Sequence, residues 1–86
     1  MQLAEGIEDA IAVYQLYRIP CWACIGASRM PSVWIPEGVR ELIVFADRDE
    51  AGQKAAQQTA EAQRGKRSVS VMFPTAGRKD FVEMLA

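Results

Sequence analysis

Three carboxylates in the sequence stand where a bound metal ion could use them. Glu5 follows a short apolar segment, and Asp47 and Asp49 follow the apolar run at residues 42–46. Residues i and i+2 of an extended segment point the same way, so Asp47 and Asp49 can converge with Glu5 if their two strands end side by side. Three carboxylates without imidazole suit Mg²⁺ or Mn²⁺ and not zinc. The Asp-x-Asp spacing alone fits a helix cap at Asp49 and a solvated strand end at Asp47 equally well.

The amino-acid composition excludes several other kinds of catalytic and structural site. The chain has 86 residues, half of them apolar and 24% charged, which indicates one small globular domain. It contains no histidine, which excludes Ser-His-Asp triads, Cys-His dyads and histidine-bound zinc. Two cysteines are too few for a disulfide scaffold. With no apolar run of membrane length and no visible signal peptide, we expect a cytoplasmic protein that does not contact the membrane.

The sequence periodicity predicts helices that alternate with strands. Residues 42–46 are apolar without alternation, which is typical of a parallel strand covered on both faces. A helix follows to about residue 63 with Asp49 as its N-cap, and its small residues (Ala51, Ala55, Thr59 and Ala62) form a narrow face. Residues 68–73 alternate and predict a half-exposed strand near an edge. The expected fold is α/β: a parallel four-stranded sheet in the order 2-1-3-4, with helices on both faces.

The remaining segments complete this pattern. A helix after Gly6 carries one apolar stripe, and Glu8 and Asp9 lie in its first turn, where acids suit the helix dipole. That stripe consists of Ile7, Ala10, Ile11, Tyr14 and Tyr17. Residues 21–25 predict a short buried strand, residues 27–40 a connecting loop, and residues 80–85 a last short helix. In that last helix we expect Phe81, Met84 and Leu85 to pack inward. Only four residues precede Glu5, so we expect the chain to begin inside a longer protein.

Four segments together resemble the Toprim domain, in the form found in phage- and plasmid-type DNA primases and primase-helicases. They are LAEGIEDA at 3–10, PCWACIGAS at 20–28, IVFADRDEAG at 43–52 and GRKDFVE at 77–83. The last is similar to the Gly-Lys-Asp-Phe-Asn-Asp tail of those proteins, but Arg78 is inserted before Lys79 and Val82-Glu83 stands where Asn-Asp is usual. Whether Glu83 replaces the usual tail aspartate is left open.

The resemblance implies one Toprim domain over residues 1–86 and a role for each acid. Glu5 matches the family's glutamate, a general acid/base that also lies with the metal ligands. Asp47 and Asp49 match the aspartates that hold Mg²⁺ or Mn²⁺, and Asp80 resembles a further acid near that site.

The two halves of the chain differ in charge, because residues 1–50 carry −4 and residues 51–86 carry +3. That asymmetry fits a metal site beside a phosphate-facing surface or two solvated faces.

The function implied is Mg²⁺-dependent nucleotidyl transfer, in which a DNA primase makes RNA primers on single-stranded DNA. Lys79, Arg78 and Arg29 are the candidate contacts to nucleotide or DNA phosphates. Single-stranded template and nucleoside triphosphates are the expected partners through the parent protein, and a replicative helicase is a further candidate. Three alternatives stay open: a Toprim-type nuclease or topoisomerase that cleaves strands, a receiver- or phosphatase-like domain, and a non-catalytic remnant or interaction module.

Two cysteines and two tryptophans remain after these assignments. Cys21 and Cys24 have the spacing of a zinc or redox pair, but no second pair or histidine completes a zinc site. In a strand, their α-carbons would lie ~10 Å apart, beyond the ~7 Å limit of a disulfide. We therefore interpret both as apolar strand residues. Trp22 and Trp34 could stack on bases; packing is the favoured interpretation for Trp22, and the role of Trp34 is open.

Overall fold

The chain forms a four-stranded parallel sheet with one α-helix on each face. The computed structural model describes residues 1–85, with the side chain of Ser28 excepted. The strands are β1 (Gln2–Ala4), β2 (Trp22–Ala23), β3 (Glu41–Phe45) and β4 (Ser68–Met72), and the α-helices are α1 (Ile7–Tyr17) and α2 (Glu50–Ala62). The strand order is β2-β1-β3-β4 and all three pairings are parallel. The predicted fold class and strand order are confirmed.

Strand β3 is the centre of both apolar layers. Leu42 and Val44 pack with residues of α2 on one face, and Phe45 packs with residues of α1 on the other. Leu3 of β1 pairs with Val44, so the first strand is buried by the same layers. Burial on both faces therefore explains why the apolar run of β3 shows no alternation.

Helix α2 lies close to the sheet because its inward residues are small. Gly52, Ala55, Ala56 and Thr59 are buried, and the Thr59 hydroxyl donates to the carbonyl of Ala55 at 2.7 Å. The predicted narrow face was correct at Ala55 and Thr59 and wrong at the two outer positions. Ala51 and Ala62 are exposed, since the buried face includes Gly52 and Ala56 in their place.

The predicted loop at residues 27–40 begins instead with a 3-10 helix, Ala27–Ser32. It packs against α2, and its Met30 is completely buried in the core on that face of the sheet. Pro31 lies inside it, which a 3-10 segment this short tolerates better than a long α-helix does. The local pattern of proline and glycine indicated a loop, whereas packing on α2 stabilises a short helix.

The predicted stripe of α1 is correct at Ala10 and at Tyr17, whose ring lies 5.6 Å from that of Phe45, and wrong at its other three positions. Ala10 and Val13 are buried, whereas Ile7, Ile11 and Tyr14 are at least half exposed. The helix presents its small side chains to Phe45 and to Phe81, a residue of the C-terminal segment that is completely buried. Close approach of a helix to a sheet favours small residues, and this overrides the stripe of larger ones.

Two short segments also differ from prediction. Only Trp22–Ala23 of the expected strand 21–25 is in the sheet, and Trp22 is exposed rather than buried. At the C-terminus, residues 81–82 form a turn and a 3-10 helix spans Glu83–Leu85. Leu85 is exposed there, in contrast to the buried Phe81.

Both cysteines are free thiols, as predicted: Cys24 is buried and Cys21 half-buried. Within residues 1–85, neither α-helix has the length and apolar character that a membrane span requires.

Candidate metal site

The acidic site lies where β1 and β3 end side by side. These strands are neighbours in the sheet, and Ala4 pairs with Phe45 at their carboxyl ends. Glu5 follows β1 directly and Asp47 follows β3 after one further residue. The backbone N–H of Asp47 donates to Oε2 of Glu5 at 3.2 Å. The strand register therefore brings together two acids that are 42 positions apart, as the sequence predicted.

A third acid, Asp9 of α1, completes the group. One carboxylate oxygen from each of Glu5, Asp9 and Asp47 lies within 4.8 Å of the others. Sequence reasoning assigned Asp9 to the helix dipole and missed this role. The signal was the spacing of Asp9, Val13 and Leu16, which places Asp9 on the helix face that packs on the sheet. We call Glu5, Asp9 and Asp47 the acidic group.

Burial and like charge make the acidic group costly to ionise. Burial raises the pKa of Asp47 to about 9, and its hydrogen bond to Glu5 and the neighbouring charge of Asp9 act in the same direction. The pKa of Asp9 is also raised, first by burial and then by the charges of Asp80 and Glu5, against the lowering effect of its hydrogen bond to Asp47. At neutral pH, Asp47 therefore holds a proton when no cation is near.

The donor set fits a hard divalent cation. All three ligand atoms are carboxylate oxygens, which Mg²⁺ and Mn²⁺ prefer. Oδ1 of Asp47 is buried without a hydrogen-bond partner, and such an atom needs a partner that the protein itself does not supply. A cation would satisfy that oxygen and offset the repulsion within the group. The acidic group can therefore hold a divalent metal.

Asp49, the other predicted metal ligand, caps a helix. Its Oδ1 accepts from the N–H of Gly52 at 2.7 Å at the start of α2, which confirms the predicted N-cap. It is outside the group of three acids whose oxygens converge. A ligand role for Asp49 would have to use its other oxygen, and that role stays a prediction.

Gly52 allows the chain to pass close to Asp47. A β-carbon at position 52 would lie 2.3 Å from the carbonyl oxygen of Asp47, a backbone atom that cannot swing away. The glycine is thus needed for contact and not for an unusual backbone angle. It sets the distance between the first turn of α2 and the acidic group.

Arg48, between the two aspartates, holds the C-terminal segment to the end of β3. Its guanidinium donates from Nη2 to the carbonyl of Pro74 and lies 5.9 Å from the centre of the Phe73 ring. Its backbone N–H donates to the carbonyl of Lys79 at 2.7 Å. These contacts bring the segment that contains Asp80 next to the acidic group.

The acids of this segment are partly used in its own folding. Oδ1 of Asp80 accepts from the N–H of Glu83 at 2.9 Å, and Oε1 of Glu83 accepts from the N–H of Lys79. Asp80 is nevertheless near enough for its charge to raise the pKa of Asp9. Glu83 is exposed and bound to its own turn, and Asp80 is the acid of this segment whose charge acts on Asp9.

The three predicted phosphate contacts lie on two segments. Arg78 and Lys79 are exposed in the turn that precedes Asp80, and Arg29 is exposed on the 3-10 helix that follows β2. Lys79 is joined to the end of β3 through its carbonyl, which accepts from Arg48. Contact of any of the three with phosphate stays a prediction.

The Toprim domain family matches residues 1–85. The chain belongs to this family. Among solved structures, a DNA primase domain from Pseudomonas aeruginosa has a similar fold, with a TM-score of 0.70 and 22% sequence identity. The match covers 99% of this chain and 28% of that one, so this Toprim domain spans less than a third of the primase chain that it resembles. No curated protein matches the sequence.

Proposed function

We propose that this Toprim domain is the metal-binding catalytic part of a DNA primase that makes RNA primers on single-stranded DNA. The observation that carries the proposal is the acidic group, with its three carboxylates and an unpartnered buried oxygen at the carboxyl edge of a parallel sheet. This edge is where ligands bind in open α/β sheets. Mg²⁺ or Mn²⁺ held there would neutralise phosphate charge and orient the reacting groups.

The acids of the site have different roles in this proposal. Asp47 and Asp9 would hold the cation, and both would do so as carboxylates, so binding would favour the deprotonated form of Asp47. Glu5 is almost fully buried and accepts from the backbone of Asp47, so it fixes the end of β3. Glu5 is also the candidate general acid/base, since one of its oxygens lies in the acidic group. Asp80 adds negative charge beside Asp9, which favours a cation further.

The exposed cations would receive the substrates. Arg78 and Lys79 lie in the turn that Arg48 holds against the end of β3, and Arg29 follows the end of β2. Cations on this edge suit nucleoside triphosphates and the backbone of a single-stranded template. The context that we propose is a longer cytoplasmic replication protein of phage or plasmid type, acting with a replicative helicase.

Mn²⁺ titration followed by NMR tests the metal site directly. Paramagnetic line broadening should reach the amides of Gly6, Asp9 and Asp47 at lower Mn²⁺ than the amide of Trp34. Mg²⁺ should compete for the same site. Broadening centred away from the acidic group, or none at millimolar Mn²⁺, would refute the proposed site.

A primer-synthesis assay tests the reaction. We expect no primers from the 86 residues alone, because positioning of template and nucleotide supplies much of the rate. In the longer protein, Glu5→Gln should abolish template-dependent synthesis, with Glu61→Gln, an exposed acid of α2 outside the acidic group, as the control. Metal-dependent strand cleavage without primer synthesis would instead support the nuclease or topoisomerase alternative.

A further inference from the structure

A second candidate site lies at the opposite edge of the sheet, where the strands begin. A groove of about 640 Å³ runs between the segment after the first 3-10 helix and the C-terminal end of α2. Its lining includes Trp34, Gln63, Lys66 and Arg67. Helix α2 has 13 residues, a length of roughly 20 Å, and it separates this groove from the acidic group. We call this groove, between the 3-10 helix and the end of α2, the Trp34 groove.

Trp34 presents its ring to solvent at this groove. It is 74% exposed, more than any other large hydrophobic side chain in residues 1–85. The lining of the groove also includes Ile35 and Gln63, each 7% exposed. An exposed indole ring beside this buried lining offers a face on which a planar ring can stack.

Buried polar atoms without partners collect at the same place. In the described part of the chain there are three such side-chain atoms, and one of them, Oδ1 of Asp47, belongs to the acidic group. The other two are Oε1 of Gln63 and Nε of Arg67, both from residues that line the Trp34 groove. One is an acceptor and the other a donor, each without a hydrogen bond, and the edge of a nucleobase carries both kinds of group.

Two cations and one acid line the groove. Lys66 is exposed at its rim, and Arg67 donates from Nη1 to the carbonyl of Pro36 at 2.9 Å, which fixes its guanidinium there. Arg40 is adjacent, since its carbonyl accepts from the N–H of Ser68 at the start of β4. Glu37 is the acid among the lining residues. An exposed aromatic ring beside exposed cations is the combination that binds single-stranded nucleic acid.

We propose that the Trp34 groove binds a nucleotide of single-stranded DNA, with the base stacked on Trp34 and the phosphate held by Lys66. A protein partner would call for a continuous apolar surface, whereas cations and open polar atoms share this groove with the indole ring. The binding needs no divalent ion and none of the acidic group, so it goes beyond the proposed catalytic function.

Titration with a fluorescein-labelled decathymidylate in EDTA tests the proposal. In a Trp22→Phe variant, Trp34 is the only tryptophan, and the oligonucleotide should quench its fluorescence. By fluorescence anisotropy, Trp34→Ala should weaken binding about tenfold and Trp34→Phe much less. Lys66→Gln should lower the slope of log affinity against log salt by about 0.7. Lys54→Gln, an exposed lysine near the start of α2, is the matched control and should change neither.

Melting curves should show that each variant folds like the wild type, because Trp34 and Lys66 are both exposed. The proposal is overturned if the oligonucleotide fails to quench Trp34, or if Trp34→Ala binds as tightly as the wild type. It is also overturned if duplex DNA of the same length quenches Trp34 equally, since paired bases are not free to stack on the ring. The buffer contains EDTA, so a failed metal site or a failed primer assay leaves these results unaffected.

Discussion

The two helices begin at the same edge of the sheet with the same backbone geometry, but they use their acids differently. The N-cap residues, Gly6 of α1 and Asp49 of α2, share φ −137° and ψ 174°. Oδ1 of Asp49 accepts a hydrogen bond from the N–H of Gly52 in its own helix. Gly6 has no side chain to cap α1, and Asp9, three residues later, directs its carboxylate to Glu5 and Asp47.

This difference shows that an acid near a helix start has one of two uses. At the N-cap position, the backbone N–H groups of the first turn bind the carboxylate and stabilise the helix. At the third helical position, on the face toward the sheet, the carboxylate is left for a ligand. Asp49 thus contributes to stability, whereas Asp9 and Asp47 reduce it until a cation binds. Substitutions at the two helix starts should have opposite effects.

The largest expected loss of stability comes from Gly52→Ala. The added β-carbon would meet the carbonyl oxygen of Asp47 at 2.3 Å, so the first turn of α2 must move away from the end of β3. We expect a loss of about 3 kcal/mol in the free energy of unfolding, as for severe overpacking. For a domain of this size that lowers the melting temperature by more than about 10 °C.

Gly38→Ala is the matched control for that variant. A β-carbon at Gly38 would meet nothing within 4 Å, and its backbone needs no positive φ. Its melting temperature should stay within a few degrees of the wild type. Equal melting temperatures for the two variants would show that close packing of α2 on Asp47 does not govern stability.

The next effect is the loss of a cap at α2. Asp49→Ala should lower stability by about 1 kcal/mol, because the N–H of Gly52 loses its acceptor. Asp49→Asn should keep nearly all of it, since asparagine is an equally good N-cap. Chemical denaturation of both variants measures the difference. If Asp49→Ala is as stable as the wild type without metal, the capping role of Asp49 is wrong.

A smaller effect of opposite sign is expected at Asp47. Its pKa rises from 3.8 to about 9 on folding, so the folded chain holds a proton that the unfolded chain releases. The stability this proton contributes is complete below about pH 4 and is lost as the pH rises toward 9. Asp47→Asn resembles the protonated form. Relative to the wild type, the variant should gain little near pH 4 and progressively more as the pH rises, reaching at least about 0.5–1 kcal/mol at pH 9.

Melting curves at pH 4 and pH 9, with and without Mg²⁺, measure that difference. Excess Mg²⁺ should reverse the order of the two proteins, because it stabilises only the form that binds it. A variant that is clearly less stable than the wild type at pH 9 without metal would identify Asp47 as a structural acceptor instead of a destabilised metal ligand.

Local sequence was enough to predict the strand and the helix start that position the site. The apolar run of β3 indicated a central strand, and it placed Asp47 at the carboxyl edge beside Glu5. Asp49 lies directly before a helix, so its capping could be predicted from neighbouring residues alone. These features depend on short stretches of chain and on the alternation of strands and helices.

The orientation of α1 could not be predicted in the same way. Its strongest apolar stripe, formed by Ile7, Ile11 and Tyr14, points to solvent, and the smaller Ala10 and Val13 face the sheet. That choice depends on how closely the helix approaches Phe45 and on Phe81, which is 68 positions after Val13 in the sequence. Asp9 turns inward with this face, so its place in the acidic group could be found only once the packing was known.

Mn²⁺ affinity of Asp9→Asn and Asp49→Asn, measured by electron paramagnetic resonance, tests the central claim most directly. Both substitutions remove one charge at a helix start. Asp49→Asn should leave stability nearly unchanged because asparagine still caps α2, and Asp9→Asn should hold or raise stability without metal because it removes one of the repelling carboxylates. We predict that Asp9→Asn weakens Mn²⁺ binding at least about tenfold, since it removes a ligand charge, and that Asp49→Asn leaves it within about twofold. A loss of affinity with Asp49→Asn and wild-type affinity with Asp9→Asn would contradict the account.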